Sequence, residues 1–212
     1  MEPTDGLLGR AESDPSEIRG VYDSWAPAYD EDLAAWGYEA PAVSALYLRE
    51  LAPRDATVLD VGCGTGLVGR ALRRAGFDDL VGIDFSVDSL AIAERRGAYR
   101  ALRRVDLSAL PTTLPSAEYG ALTCIGVLSY LPDVEAVCRE LCRVVAPGAP
   151  LVLTQRADLF ALRDTENAFA RLAEDGTWSQ IEVTDERAYL PGNPEFAGVG
   201  VRYCVFRRSS AG

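Results

Sequence analysis

Apolar and polar positions alternate along this chain with two different periods. Short apolar runs lie at residues 57–61, 80–83, 101–105, 119–125 and 150–155. Runs this short, bounded by glycine, proline and charged residues, read as buried strands. Most of the segments between them have helical spacing. One helix is predicted over 66–75 and stops at Gly76; a second starts at Ser86 as N-cap and runs to about Arg96. A third, over 134–145, places Val134, Val137, Leu141 and Val144 on one face. Strand and helix in alternation predict an α/β fold with a mostly parallel sheet and helices on both faces.

The two ends differ from this core. Asp14, Pro15 and Glu17 form a helix start, and the helix they open reaches about Ser24, ahead of Pro27. A short helix is predicted over 31–36, ended by Gly37. Another over 40–51 sets Val43, Leu46, Tyr47 and Leu51 on one face and stops at Pro53. At the other end a helix over 165–174 is followed by strands near 178–183 and 199–207 with no helix between them. That pattern predicts an antiparallel pair on the sheet edge. The length fits a single domain, divided into a disordered tail (1–13), a helical lid (14–52) and the α/β core (53–212).

The first strand runs straight into Asp60-Val61-Gly62-Cys63-Gly64-Thr65-Gly66. Three glycines at alternate positions allow a tight turn and a close approach of backbone to a ligand at a helix N-terminus. Asp60 can accept hydrogen bonds from turn amides or, through water, from a ligand ammonium group. A phosphate site gains less from an acid there. Residues 64–69 also fit G-x-G-x-x-G, the dinucleotide fingerprint, which alone is a weak signal. Asp84 ends the second strand, where a carboxylate can accept from both hydroxyls of a ribose. It fits the adenosine of either S-adenosylmethionine or NAD. Asp106 ends the third strand and, taken alone, reads as a turn acid.

With Asp-x-Gly-x-Gly-x-Gly after an apolar strand, Asp84 and Asp106 in that order, the chain resembles class I S-adenosylmethionine-dependent methyltransferases from about Val21 to its end. The run from Tyr22 to Asp30, residues 59–68, Thr154-Gln155-Arg156 and Leu190-Pro191-Gly192 are similar to the methyltransferase-like proteins named for the Williams-Beuren region. The resemblance implies a Rossmann-like fold with a central seven-stranded sheet, and S-adenosylmethionine as cofactor with S-adenosylhomocysteine as product. It implies cofactor contacts at Asp60, Gly62, Cys63, Gly64, Gly66 and Leu67, at Asp84, Phe85 and Ser86, at Asp106 and Leu107, and at Gly126 and Val127. It further implies that Tyr22, Trp25 and Tyr29 touch the cofactor from the lid; plain helix packing is the competing reading for all three.

Composition narrows the chemistry. The net charge is −11, which disfavours nucleic acid and anionic membranes as partners. All 21 basic residues are Arg, and the chain has neither Lys nor His. A His base, a Schiff base and a His-ligated metal are excluded. The five Cys form no C-x-x-C pair, which suits a reducing cytoplasm and argues against structural zinc. No catalytic residue is assigned; Tyr130, Arg156 and Asp158 lie at strand-end loops and are weak candidates. Arg156 reads either as a bidentate partner for an acceptor carboxylate or as a surface ion pair. The expected partner is a small, ionisable, partly apolar acceptor beneath Trp25, Tyr29, Trp36 and Tyr38. Two other readings stay open: a cofactor-binding protein of this fold without methyl transfer, and an NAD-dependent oxidoreductase.

Overall fold

The computed structural model describes residues 29–210. The helix expected before Ser24, and the calls on Tyr22, Trp25 and the tail, lie outside the described residues. Helix α1 (Tyr29–Ala35) and helix α2 (Ala40–Leu51) precede strand β1 (Val58–Val61). Then come α3 (Leu67–Arg74), β2 (Leu80–Asp84), α4 (Val87–Arg96), β3 (Ala101–Arg104) and β4 (Ala121–Cys124). A 3-10 turn (Leu128–Tyr130) leads to α5 (Val134–Val144), β5 (Pro150–Arg156), α6 (Ala157–Leu162) and α7 (Thr165–Glu174). The chain closes with β6 (Trp178–Val183), the two-residue β7 (Arg187–Ala188) and β8 (Gly200–Arg208).

The sheet order is β3-β2-β1-β4-β5-β8-β6, with β7 paired to β8. Strands β1 to β5 are parallel, and β8 runs antiparallel to β5, β6 and β7. The expected seven-stranded sheet and its antiparallel edge are present, with β7 as a short addition. Strands β1, β2, β4 and β5 are buried at every residue, because helices cover both faces. Leu59, Val61, Leu122 and Leu151 pack with α5 and α7 on one face. Val58, Ala121, Val152 and Val205 pack with α2 and α3 on the other. At the antiparallel edge, Trp178 stacks on Phe206 with ring centroids 3.8 Å apart, and Phe169 meets both rings edge-on. Each such pair contributes about 0.5–1.5 kcal/mol beyond simple burial.

One expected face is right only in part: Val43, Tyr47 and Leu51 of helix α2 pack half-buried against the core. Helix α2 buries Ala40, Pro41, Ser44, Ala45 and Leu48, while Leu46 stands 55% exposed. Its packing against α3 and β5 is made by small residues that let the backbones approach closely. Counting large apolar side chains picked the adjoining stripe. Helix α6 was not anticipated at all; it is a short element directly after β5.

Chain direction decides where a ligand can sit. From β1 the chain winds through β2 to β3, then crosses back to β4 on the other side of β1. The carboxyl ends of β1 and β4 therefore diverge into a crevice, the usual ligand position in open α/β sheets.

Candidate functional site

The glycine turn fills one wall of that crevice. Gly62, Gly64 and Gly66 have φ of +66°, +52° and +94°, a region that side-chain-bearing residues adopt only at a cost. They are glycines for different reasons. A Cβ on Gly62 would lie 2.2 Å from Val127 Cγ2, so the loop after β4 seats directly on the turn. A Cβ on Gly64 would meet nothing within 4 Å, so the backbone there faces open space. The Gly64 N–H donates to Asp84 Oδ2 at 2.9 Å, and the Ser86 N–H donates to Oδ1 at 2.9 Å. These two bonds fix the Asp84 carboxylate at the end of β2. Ser86 caps α4 by accepting from Ser89 N–H at 3.1 Å, as its place in the sequence predicts.

Other expected contacts are placed as follows. Cys63 is buried, its N–H donates to the Ile83 carbonyl, and its Sγ packs towards Gly82. Its side chain is thus a packing group. Leu67 opens α3 and joins the apolar cluster below the lid. Phe85 is half-buried beside Asp84, and Leu107 is half-buried against the main core. Asp106 is exposed and closes a local turn, accepting from Ser108 N–H at 2.9 Å and Ser108 Oγ at 2.6 Å. Gly126 has φ +74°, and its N–H donates to Thr154 Oγ1 at 2.8 Å. The β4 loop is tied to β5 a second time by Ser129, which donates to Gln155 Oε1 at 3.2 Å. Of the lid calls, Tyr29 opens α1; nothing is described of its side chain, and Tyr22 and Trp25 lie outside the described residues.

Asp60 is buried on the α3 side of β1, and its partners were not foreseen. Thr123 Oγ1 donates to Oδ1 at 2.8 Å and Tyr99 Oη donates to Oδ2 at 2.6 Å. No turn amide reaches it among the described residues. Burial raises its pKa to about 7, against the pull of the two hydroxyl bonds and with a smaller push from Asp84.

A second unforeseen group closes the turn from outside. Thr65 Oγ1 donates to Asp30 Oδ1 at 2.7 Å; Arg96 bonds Thr65 Oγ1 at 3.3 Å and pairs with Asp30 Oδ2. Helix α1 is thereby held over the glycines by an ion pair that also reaches α4. Beside it, Leu33, Leu190 and Phe196 form a small core with Trp36, Tyr38, Tyr130 and Tyr189 packed around it. The Gly192 N–H donates to the Trp36 carbonyl at 3.0 Å, and a Cβ on Gly192 would sit 2.8 Å from the Ala35 carbonyl oxygen. The late Leu190-Pro191-Gly192 segment is the support on which the lid rests.

Arg156 lies under this aromatic roof, only 4% exposed, so it is not a surface ion pair. Its Nε and Nη2 reach the two oxygens of Asp158 at 3.1 and 2.6 Å, and its guanidinium lies 5.5 Å from the Phe196 ring centroid. Burial works against its charge, but Asp158 overcomes that and raises its pKa. All five Cys are free and buried, and among the described residues no cluster could hold a metal. A separate cavity of about 510 Å³ lies between α6–α7 and β6–β8, lined by Phe160, Phe169, Glu186 and Arg202 among others. None of the expected cofactor residues lines it.

Comparison with known proteins agrees with this geometry. Residues 59–153 match the methyltransferase domain family. The chain is 36% identical to methyltransferase-like protein 27 of Homo sapiens over 76% of its own length and 67% of that protein's. It is 33% identical to the ubiquinone biosynthesis O-methyltransferase of Bordetella avium, over 63% of this chain and 58% of that one. Among solved structures, the [4+2]-cyclase SpnF superposes with a TM-score of 0.68 at 19% identity, covering 92% of this chain and 96% of that chain. A methyltransferase from Methanosarcina mazei does so with 0.61 at 17%, covering 78% and 98%. At such identities the structures share the fold and nothing more is drawn from them. The chain belongs to the class I S-adenosylmethionine-dependent methyltransferase family, and S-adenosylmethionine is its cofactor.

Proposed function

We propose that the protein transfers a methyl group from S-adenosylmethionine to an ionisable oxygen of a small, partly apolar acceptor. The observation that carries this reading is the open space over Gly64, whose N–H is bonded to Asp84, together with the aromatic roof over Arg156. The residues present fit the cofactor: an open backbone cradle, a carboxylate placed for two ribose hydroxyls, and a buried acid with no cationic partner among the described residues. Asp106 and Leu107 are assigned to the adenine edge, Phe85 to the ribose or adenine face, and Gly126 and Val127 to the methionine end. S-adenosylmethionine supplies a methyl carbon already activated by its sulfonium.

The chain's own residues then orient and dry the site. Positioning of this kind is worth several kcal/mol of barrier. Arg156, fixed by Asp158 and Phe196, steers an anionic oxygen towards the crevice. Tyr130, on the turn after β4, borders the same space. With no Lys or His in the chain, an acceptor that ionises on its own, such as a carboxylate or an acidic phenol, needs the least help. The O-methyltransferase relatives support oxygen as the methylated atom.

The test has two stages. Calorimetric titration with S-adenosylmethionine, S-adenosylhomocysteine and NAD should give micromolar binding of the first two and none of the third. A screen with isotopically labelled methyl donor should then favour carboxylates and acidic phenols over amines and aliphatic alcohols. Methylation of unactivated amines alone would sink the acceptor assignment. Tight cofactor binding with no transfer to any acceptor would favour a second reading, a non-methylating enzyme on this fold.

A further inference from the structure

Helix α3 starts at the glycine turn, and that creates a problem of local physics. The first N–H groups of a helix have no partner inside it, and a Ser, Thr, Asp or Asn side chain at the N-cap normally supplies one. Here the N-cap is Gly66, with φ +94° and no side chain to offer. The missing acceptor comes from far along the chain. The Gly69 N–H, in the first turn of α3, donates to Tyr99 Oη at 3.0 Å. The same hydroxyl donates to Asp60 at 2.6 Å.

The fold makes room for this one ring. A Cβ on Gly69 would lie 2.3 Å from Tyr99 Cζ; a Cβ on Gly82 would meet Leu102 Cδ2 at 2.7 Å and Cys63 Sγ at 2.9 Å, then Tyr99 Cδ1 at 3.2 Å. Gly82 is also the residue opposite Asp60 across β1 and β2. Gly69 is the third glycine of the apparent dinucleotide fingerprint. In this protein it opens the slot for Tyr99.

We propose that Tyr99 is a positioning residue of the cofactor site: it stands in for the helix cap that the glycine turn cannot carry, and it holds the Asp60 carboxylate where that group answers the positive charge of the cofactor. This deepens the functional reading above and rests on it. The titratable groups that face Asp60 are Tyr99 before β3, Asp84 at the end of β2, Cys63 in the turn, Cys124 on β4 and Tyr38 ahead of α2. None of them is positive. A carboxylate buried among such neighbours holds its proton to unusually high pH and gives it up more readily when a cation arrives.

The experiment compares wild type with Tyr99→Phe, using S-adenosylmethionine binding by calorimetry from pH 5.5 to 8.5. Isotope-edited infrared titration of the Asp60 carboxyl in the cofactor-free proteins accompanies it. Wild-type affinity should rise with pH and level off above about pH 7. Tyr99→Phe removes a donor to the charged form, so the midpoint and the carboxyl titration should both move up by about one pH unit. Affinity at pH 7 should fall about fivefold. Thr123→Val removes the other donor without touching the Gly69 contact. It should shift the carboxyl titration the same way, and it carries the test if Tyr99→Phe folds poorly. A loss of stability with unchanged pH midpoints overturns the proposal and leaves Tyr99 a packing residue. Wild-type protein that binds no S-adenosylmethionine overturns the functional reading and this proposal together. Wild-type binding with an unmoved Tyr99→Phe titration overturns this proposal alone.

Discussion

The two halves of the crevice are built on opposite plans. On the β1–β2 side the wall is backbone: three left-handed glycines, two amides on Asp84 and a serine cap. On the β4–β5 side it is side chain: Tyr38, Tyr130, Tyr189, Phe196 and the buried Arg156 held by the exposed Asp158, brought together from across the chain. A backbone cradle has few solutions, because only glycine reaches its dihedral angles without strain. A side-chain roof has many solutions of similar energy. The difference teaches that one half can hold a fixed ligand while the other is free to be rebuilt for a new acceptor.

The sharpest way to break this contrast is to put methyl groups on the cradle. Gly62→Ala sets a Cβ against Val127 at a left-handed position. It should lower stability by roughly 2–3 kcal/mol and abolish cofactor binding. Gly64→Ala has the same backbone problem but open space around it, so it should cost only about 1 kcal/mol of stability and still abolish binding. Paired denaturation and calorimetry would show this split. Equal loss of stability in both would mean that Gly64 is structural and the cradle is closed.

Asp84→Asn tests the ribose assignment next. It should weaken S-adenosylmethionine binding by about ten- to a hundredfold, the worth of hydrogen bonds to a charged acceptor. Unchanged affinity would remove Asp84 from the site.

Asp60 gives a prediction in pH. Its folded pKa, about 7, lies above the ordinary carboxylate value of 3.8. Between those values the folded state binds more protons than the unfolded chain. Its contribution is therefore fully present below about pH 4, is lost as pH rises to about 7, and is flat beyond. Wild type minus Asp60→Asn stability, from denaturant titrations at several pH values, should fall across that window. A difference that is constant with pH would show that Asp60 is not raised.

The smallest effect is expected on the acceptor side. Arg156→Lys keeps the charge but loses the bidentate geometry. It should raise the acceptor KM about tenfold and leave cofactor affinity within a factor of two. A matching loss of cofactor affinity would join the two halves that the comparison separates.

This division also explains what could be read in the sequence. The cradle, Asp84 and the Ser86 cap are local: each depends on residues a few positions apart, and strand periodicity places them at the sheet's carboxyl edge. Tyr99 bonds Asp60 across 39 residues and Arg96 bonds Asp30 across 66, and no short-range spacing announces either. Helix α2 misled for another reason. Its buried face is made of Ala and Ser, so a search for large apolar residues chose the stripe with the exposed Leu46. Arg156 reads from sequence equally as a partner for an acceptor carboxylate and as a surface ion pair, because the Phe196 ring that lies over it comes from a distant segment.

The contact of Asp30 with Thr65 and Arg96 has a bearing on traffic. If helix α1 gates the cofactor, this ion pair is the charged bolt beside its apolar seat on Leu190 and Phe196. Release of product would then wait on that bolt, and residence time should respond to ionic strength. Both side chains are only 21% exposed, so salt screens the pair weakly, and product release should be only modestly faster in brine than in dilute buffer.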